Sequence, residues 1–228
     1  MNDYAGGSKS MANGAEQTAI PNTAGRLIHW AFLYDLLLWF LSFGGEQKFR
    51  GKALDLAELK AGESVLDIGC GTGTLAIAAT RLVGPGGTVC GIDASPEMIA
   101  RAEKKARKAG LEIGFKNALA EALPFPAAHF DVALSTVMLH HLPRNVRRQC
   151  VQEIKRVLKP GGRLLAIDFA NPAGEERGSF LTGFHRHGRV NFPEVIAMLS
   201  DAGLKCVKSG PVGFGGLQFV LAEAPSAT

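Results

Sequence analysis

Cysteine is scarce in this chain: Cys70, Cys90, Cys150 and Cys206 are its only four, widely spaced and without a CxxC pair. That spacing supplies neither a structural zinc site nor a disulfide framework, and it predicts a reduced, cytoplasmic setting. Charge of one sign is also in short supply. Twenty-five Lys and Arg against 21 Asp and Glu leave a formal charge of +4, well below what a protein gripping many phosphates shows, so nucleic acid is not expected as a partner. A long apolar run is missing as well. The longest, Leu27–Phe43, is 17 residues and holds His29, Asp35 and Ser42, too short and too polar to read as a membrane-spanning helix. No secretory pattern precedes it, only a Gly, Ala, Asn and Ser-rich lead over residues 1–24 that reads as disordered. With 46% hydrophobic residues among 228, enough apolar side chain remains to bury a sizeable core.

What the chain does have is glycine in one telling place. Val65, Leu66, Asp67 and Ile68 read as a buried strand, run into Gly69, Gly71 and Gly73, and are followed by a helical apolar pattern at Leu75, Ile77, Ala78, Ala79 and Leu82. Strand, glycine turn and helix start form a nucleotide-binding signature, because glycine allows both a sharp turn and close approach of a ligand to backbone. The spacing is Gly-x-Gly-x-Gly, whereas the dinucleotide fingerprint has its third glycine where this chain has Thr74. A nicotinamide cofactor is therefore disfavoured. Twenty residues after Gly73, a second apolar run (Val89, Cys90, Gly91, Ile92) ends in Asp93. In an open parallel sheet Asp93 lies beside the glycine turn and can accept hydrogen bonds from two ribose hydroxyls.

The motifs DIGCGTG, GIDASPEM, LPF, FDVALS and VLKPGGRLL, in that order, resemble those of the class I S-adenosylmethionine-dependent methyltransferases over about residues 45–222. The resemblance implies an α/β, Rossmann-like fold: a seven-stranded, mostly parallel sheet with helices on both faces and a closing antiparallel strand. It also implies S-adenosyl-L-methionine as cofactor, held by Asp67, Gly69, Cys70, Gly71, Gly73, Asp93, Ala94, Met98 and Ser135, with Tyr34 contributed from the N-terminal segment. Where such proteins often carry an acid for the adenine amino group, this chain has Leu119 followed by Ala120. Two readings stand there: backbone and apolar contact at those two residues, or a bulge that brings in Asn117.

The chain divides into the lead 1–24, an N-terminal helical lid over 25–60 and a cofactor-binding domain over 61–224. Trp30, Phe32, Trp39, Phe40 and Phe43 give the lid helix a heavy aromatic load. It either packs over the core, or covers an apolar acceptor through Trp39 and touches a membrane surface. A helix opening at Ser95 and Pro96 and closing at Gly110 carries Arg101, Lys104, Lys105, Arg107 and Lys108, read as a solvated face or, alternatively, an anionic docking surface. After the fourth strand, TVMLHHLP puts His140 and His141 near the crevice. They are the candidate bases, against the plainer reading of packing residues. A further histidine pair, His185 and His187, flanks Arg186 in a long aperiodic stretch between Asp168 and Phe192. Two histidines alone make an incomplete metal site, so a substrate-binding loop, recognising an anion through Arg186 or Arg189, is set against a solvated one.

The resemblance implies methyl transfer, and alignment of two reactants in a dry site can remove roughly 7–11 kcal/mol of barrier, so no catalytic triad is required. Tyr34–Asp35, Ser42–Gly44, Arg50 and IDFANP are similar to the ubiquinone and menaquinone C-methyltransferases, while TVMLHHL departs from them. A quinone precursor or lipid headgroup is the expected acceptor. A soluble amine, hydroxyl or thiol, or cofactor binding without catalysis, stands as the alternative.

Overall fold

A computed structural model describes residues 46–170, 189–213 and 216–226. The lead, the lid helix with Tyr34 and Trp39, and the segment with His185, Arg186 and His187 lie outside the described residues. The order is α1 (Glu46–Leu56), β1 (Ser64–Ile68), α2 (Thr74–Val83), β2 (Thr88–Asp93), α3 (Pro96–Lys108), β3 (Gly114–Asn117), β4 (Phe130–Thr136), α4 (Arg144–Val157), β5 (Leu158–Phe169), α5 (Phe192–Asp201), β6 (Lys205–Pro211) and β7 (Leu217–Glu223). One 3₁₀ turn, Leu139–His141, sits between β4 and α4.

The seven strands form one sheet in the order β3-β2-β1-β4-β5-β7-β6. β1 through β5 pair in parallel, and β7 runs antiparallel to both β5 and β6. The run order reverses between β1 and β4, and that reversal opens a crevice at the carboxyl ends of these two strands. β1 is apolar without alternation because helices cover both faces: Val65, Leu66 and Ile68 are all fully buried. One core gathers Leu66, Ile68, Ala133, Leu164 and Ala166 under α4 and α5. The other gathers Val65, Val132, Leu134, Leu165 and Ile167 under α1 and α2.

Helix starts follow their caps. The Ser95 hydroxyl accepts from the Met98 N–H at 3.3 Å, and the Asn191 side chain accepts from the Glu194 N–H at 3.4 Å. Two boundaries differ from the sequence expectation. The pattern runs α1 to Leu59, but the helix stops at Leu56 because Glu58 turns left-handed (φ 53°) and Arg163 of β5 takes the carbonyls of Ala57 and Glu58 at 2.7 and 2.6 Å while pairing with Glu63 at 2.8 Å. KPGG reads as a turn into a strand at Arg163, yet β5 starts at Leu158. Phe130 pairs with Leu158 and Val132 with Arg163, so the intervening residues bulge within one continuous strand.

Candidate active site

The glycine turn is pinned at both ends. The Cys70 N–H donates to the Ile92 carbonyl at 2.8 Å, and Gly73 closes back on the Cys70 carbonyl at 2.9 Å. Gly69, Gly71 and Gly73 all have positive φ, between 53° and 74°, where L side chains are strained. At Gly71 an added Cβ would project into open space, while at Gly73 it would lie 2.7 Å from the Phe115 ring and 2.8 Å from Ala102. Gly71 thus keeps its backbone bare toward the crevice, and Gly73 permits close helix packing. Cys70 is buried beneath the turn, and burial pushes its thiol pKa well above the usual range, so it fills space as a neutral thiol.

Asp93 ends β2 beside this turn. Its Oδ2 accepts from the Gly71 N–H and its Oδ1 from the Ser95 N–H, both at 2.9 Å. Burial raises its pKa, and those two N–H groups oppose the rise. Each oxygen has spent one acceptor position, so both retain capacity for a hydroxyl. Ala94 is exposed at the crevice and Met98 is half-buried in the first turn of α3. On α3's basic face, Lys105 is not simply solvated: its ammonium donates to the Thr72 hydroxyl at 2.6 Å, tying the helix to the glycine turn.

Asp67 is the buried acid of β1, 1% exposed, and neither carboxylate oxygen makes a hydrogen bond of ordinary geometry among the described residues. Desolvation, then the neighbouring Asp93, push its pKa up to about 7, with the Ala76 N–H working against them. An orphaned carboxylate, a bare glycine backbone and an aspartate with spare acceptors together fit a ligand with hydroxyls and a cationic end. Protonated in the fold and ionised in the unfolded chain, Asp67 costs stability progressively as pH rises from about 4 through 7, and the full cost is present above 7. Asp67→Asn is therefore expected to raise the melting temperature of the ligand-free protein more at pH 8 than at pH 5 while weakening cofactor binding. Thermal denaturation at the two pH values with a calorimetric titration checks both.

Leu119 and Ala120 lie half-buried in the turn after β3. Asn117 is held in register opposite Asp93, its Nδ2 donating to the Asp93 carbonyl at 2.9 Å, so no bulge carries it toward the crevice. Ser135 is wholly buried, its hydroxyl unpartnered among the described residues. Strand alternation turns it toward the α4 side of the sheet, away from the face that Asp67 occupies.

The histidine turn leaves the end of β4. Val137, buried and β-branched, adopts φ 55° and donates its N–H to the Ile167 carbonyl at 2.7 Å, a strained residue held in place by its surroundings. His140 Nδ1 lies 2.6 Å from Asp168 Oδ1, and the His140 N–H donates to Oδ2 at 3.1 Å. The two imidazole centroids are 3.7 Å apart at a 49° tilt. His141 is driven down to about 4, first by burial and then by His140, so it is neutral at pH 7. Arg147, from α4, donates through Nε to the Leu139 carbonyl and through Nη2 to the Leu142 carbonyl, each at 3.1 Å. The sequence pattern singled out neither Asp168 nor Arg147, although both left a signal. Asp168 is the acid ending an apolar strand, as Asp67 and Asp93 are, and Arg147 stands on the stripe of Cys150, Val151 and Ile154, where a charge is out of place.

A glycine turn after β1, an acid at the tip of β2 and a titratable turn after β4, on this strand order, define a class I S-adenosylmethionine-dependent methyltransferase. Residues 65–162 match the model of the methyltransferase domain family. The demethylmenaquinone methyltransferase of Thermus thermophilus is 39% identical over 166 residues, 73% of this chain and 71% of that protein. The ubiquinone/menaquinone biosynthesis C-methyltransferase UbiE of Yersinia enterocolitica is 32% identical over 74% of this chain and 67% of its own length. A crystal structure of an S-adenosylmethionine-dependent methyltransferase from Aquifex aeolicus superposes with a TM-score of 0.67 at 26% identity, covering 80% of this chain and 94% of that one. The chain belongs to the UbiE group of these methyltransferases, and it is an enzyme that uses S-adenosyl-L-methionine.

Proposed function

We propose that this enzyme methylates a ring carbon of a reduced quinone precursor, with the histidine turn receiving the proton that the ring gives up. The observation that carries the reading is the His140–Asp168 pair at the end of β4, one strand away from the glycine turn. S-adenosyl-L-methionine, when bound, supplies a methyl group on a positively charged sulfur. Asp93 and the turn from Gly69 to Gly73 hold its nucleoside part, Asp67 its charged end, and Ala94, Met98, Leu119 and Ala120 the base. A phenolic ring becomes a strong carbon nucleophile only on losing a proton, and a neutral imidazole accepts one near pH 7. His140 is the better acceptor of the two, because His141 at about 4 is a weak base and His140 has the Asp168 carboxylate at Nδ1.

The names of the relatives supply the acceptor class, and the aromatic helix within residues 25–60 is its proposed lid, contacting the membrane surface from the cytoplasm. Among the described residues no helix is long and apolar enough to cross a membrane. The test is calorimetric titration with S-adenosylmethionine and with NADH, then radiolabelled methyl transfer to a short-chain demethylnaphthoquinol beside an aqueous pool of amines and thiols. Binding of the sulfonium compound alone, with label entering the organic phase, is expected. Removal of residues 1–44 should abolish that labelling while weakening cofactor binding only by the loss of Tyr34. Label only in the aqueous pool overturns the acceptor, and absence of binding overturns the cofactor site.

A further inference from the structure

The turn that carries the histidines is short, strained at its entry and gripped from two directions. Asp168, 1% exposed at the end of β5, accepts three hydrogen bonds: His140 N–H at 3.1 Å, the Phe169 N–H at 2.8 Å and the His140 ring at 2.6 Å. A carboxylate taking two backbone donors acts as an acceptor toward the ring as well, so Nδ1 carries the proton and Nε2 is left with its lone pair. Arg147 reaches from α4 to the carbonyls on both sides of the histidines, those of Leu139 and Leu142, and the negative charges of Glu194 of α5 and of Asp168 oppose the cost of its burial. Two charged groups that are more than nine-tenths buried are costly to keep. The ladder between β4 and β5 is built from backbone alone, from Phe130–Leu158 to Thr136–Ile167.

We propose that Asp168 is a positioning residue for methyl transfer: by gripping the backbone and Nδ1 of His140 it fixes the imidazole tautomer that leaves Nε2 as proton acceptor, with Arg147 holding the same turn from α4. The inference rests on His140 being the base. Asp168→Asn keeps the shape of the side chain but leaves one acceptor oxygen where three N–H groups need two, and with its NH2 turned to the ring it reverses the tautomer, which disables a base without displacing it. The kcat for the demethylnaphthoquinol is expected to fall roughly 10²-fold or more, with the affinity for S-adenosylmethionine unchanged. A merely structural role would lower stability without regard to His140. The double variant separates the two: Asp168→Asn added to His140→Asn should cost nothing further in kcat if Asp168 works through that ring.

Long-range ¹H–¹⁵N spectra of the histidine rings read the tautomer with no acceptor present. The unmodified protein at pH 8 should show His140 protonated at Nδ1, and Asp168→Asn should move that proton to Nε2. An Nε2–H tautomer in the unmodified protein overturns the proposal even if the variant fails to fold, and so does full additivity of the double variant. If His140→Asn keeps normal kcat, the base assignment itself falls. If His140→Asn is slow and Asp168→Asn is not, the base assignment survives and the positioning role is refuted.

Discussion

Asp93→Ala is expected to weaken S-adenosylmethionine binding by about 10²-fold or more while the far-ultraviolet circular dichroism of the protein stays unchanged. Two hydrogen bonds from ribose hydroxyls to a carboxylate, at about 1.5–3 kcal/mol each, account for a loss of that size. The same carboxylate holds the Gly71 and Ser95 N–H groups at 2.9 Å, so the substitution also frees the glycine turn from the tip of β2. The fold survives because β1 and β2 stay paired over five residues from Ser64–Thr88 to Ile68–Ile92, beneath the site. Calorimetric titration decides the matter. Near-normal affinity would refute the ribose assignment.

The second large effect falls on stability. Phe130 opens β4, is fully buried, and meets the rings of Phe125 and His129 edge-on at centroid distances of 4.9 and 4.7 Å. Phe130→Ala leaves a cavity that β4 and β5, clamped by their ladder, cannot close, and the expected cost is about 3–5 kcal/mol in urea denaturation. Phe130 lies at the amino end of its strand and the site at the carboxyl end, so the folded fraction should keep its affinity for the cofactor. A loss of under 1 kcal/mol, on the order of a well-tolerated core change, would mean that the surrounding residues repack.

How far the sequence reveals this molecule depends on the sequence distance over which each feature is built. The glycine turn is legible because strand, turn and helix start are contiguous, and Asp93 because an acid after an apolar run marks a strand end wherever its neighbour lies. The helix start at Ser95 is local in the same sense. The His140–Asp168 pair is not, since it joins residues 28 apart in sequence that meet only because β4 and β5 pair with Thr136 opposite Ile167. Arg147 was hidden differently: helical spacing alone allows a stripe of either Val146 or Arg147, and the direction of the stripe is set by what α4 packs against. The early start of β5 escaped because Pro160 and two glycines read as a turn, whereas the pairing of Phe130 with Leu158 carries them as a bulge. The closing antiparallel strand came from family resemblance and not from periodicity, and the place of β7 between β5 and β6 is visible only in the fold.

The glycine turn and the histidine turn also touch. A Cβ at Gly69 would lie 2.5 Å from Cγ of Met138, so the methionine that begins the histidine turn rests directly on the first glycine of the other. With the acceptor at the histidine turn, as proposed, thermodynamic linkage ties the two ligands together. Whatever factor the cofactor adds to acceptor affinity by settling Gly69 under Met138, the acceptor returns to cofactor affinity by settling Met138 over Gly69, because the coupling is one free energy shared by both.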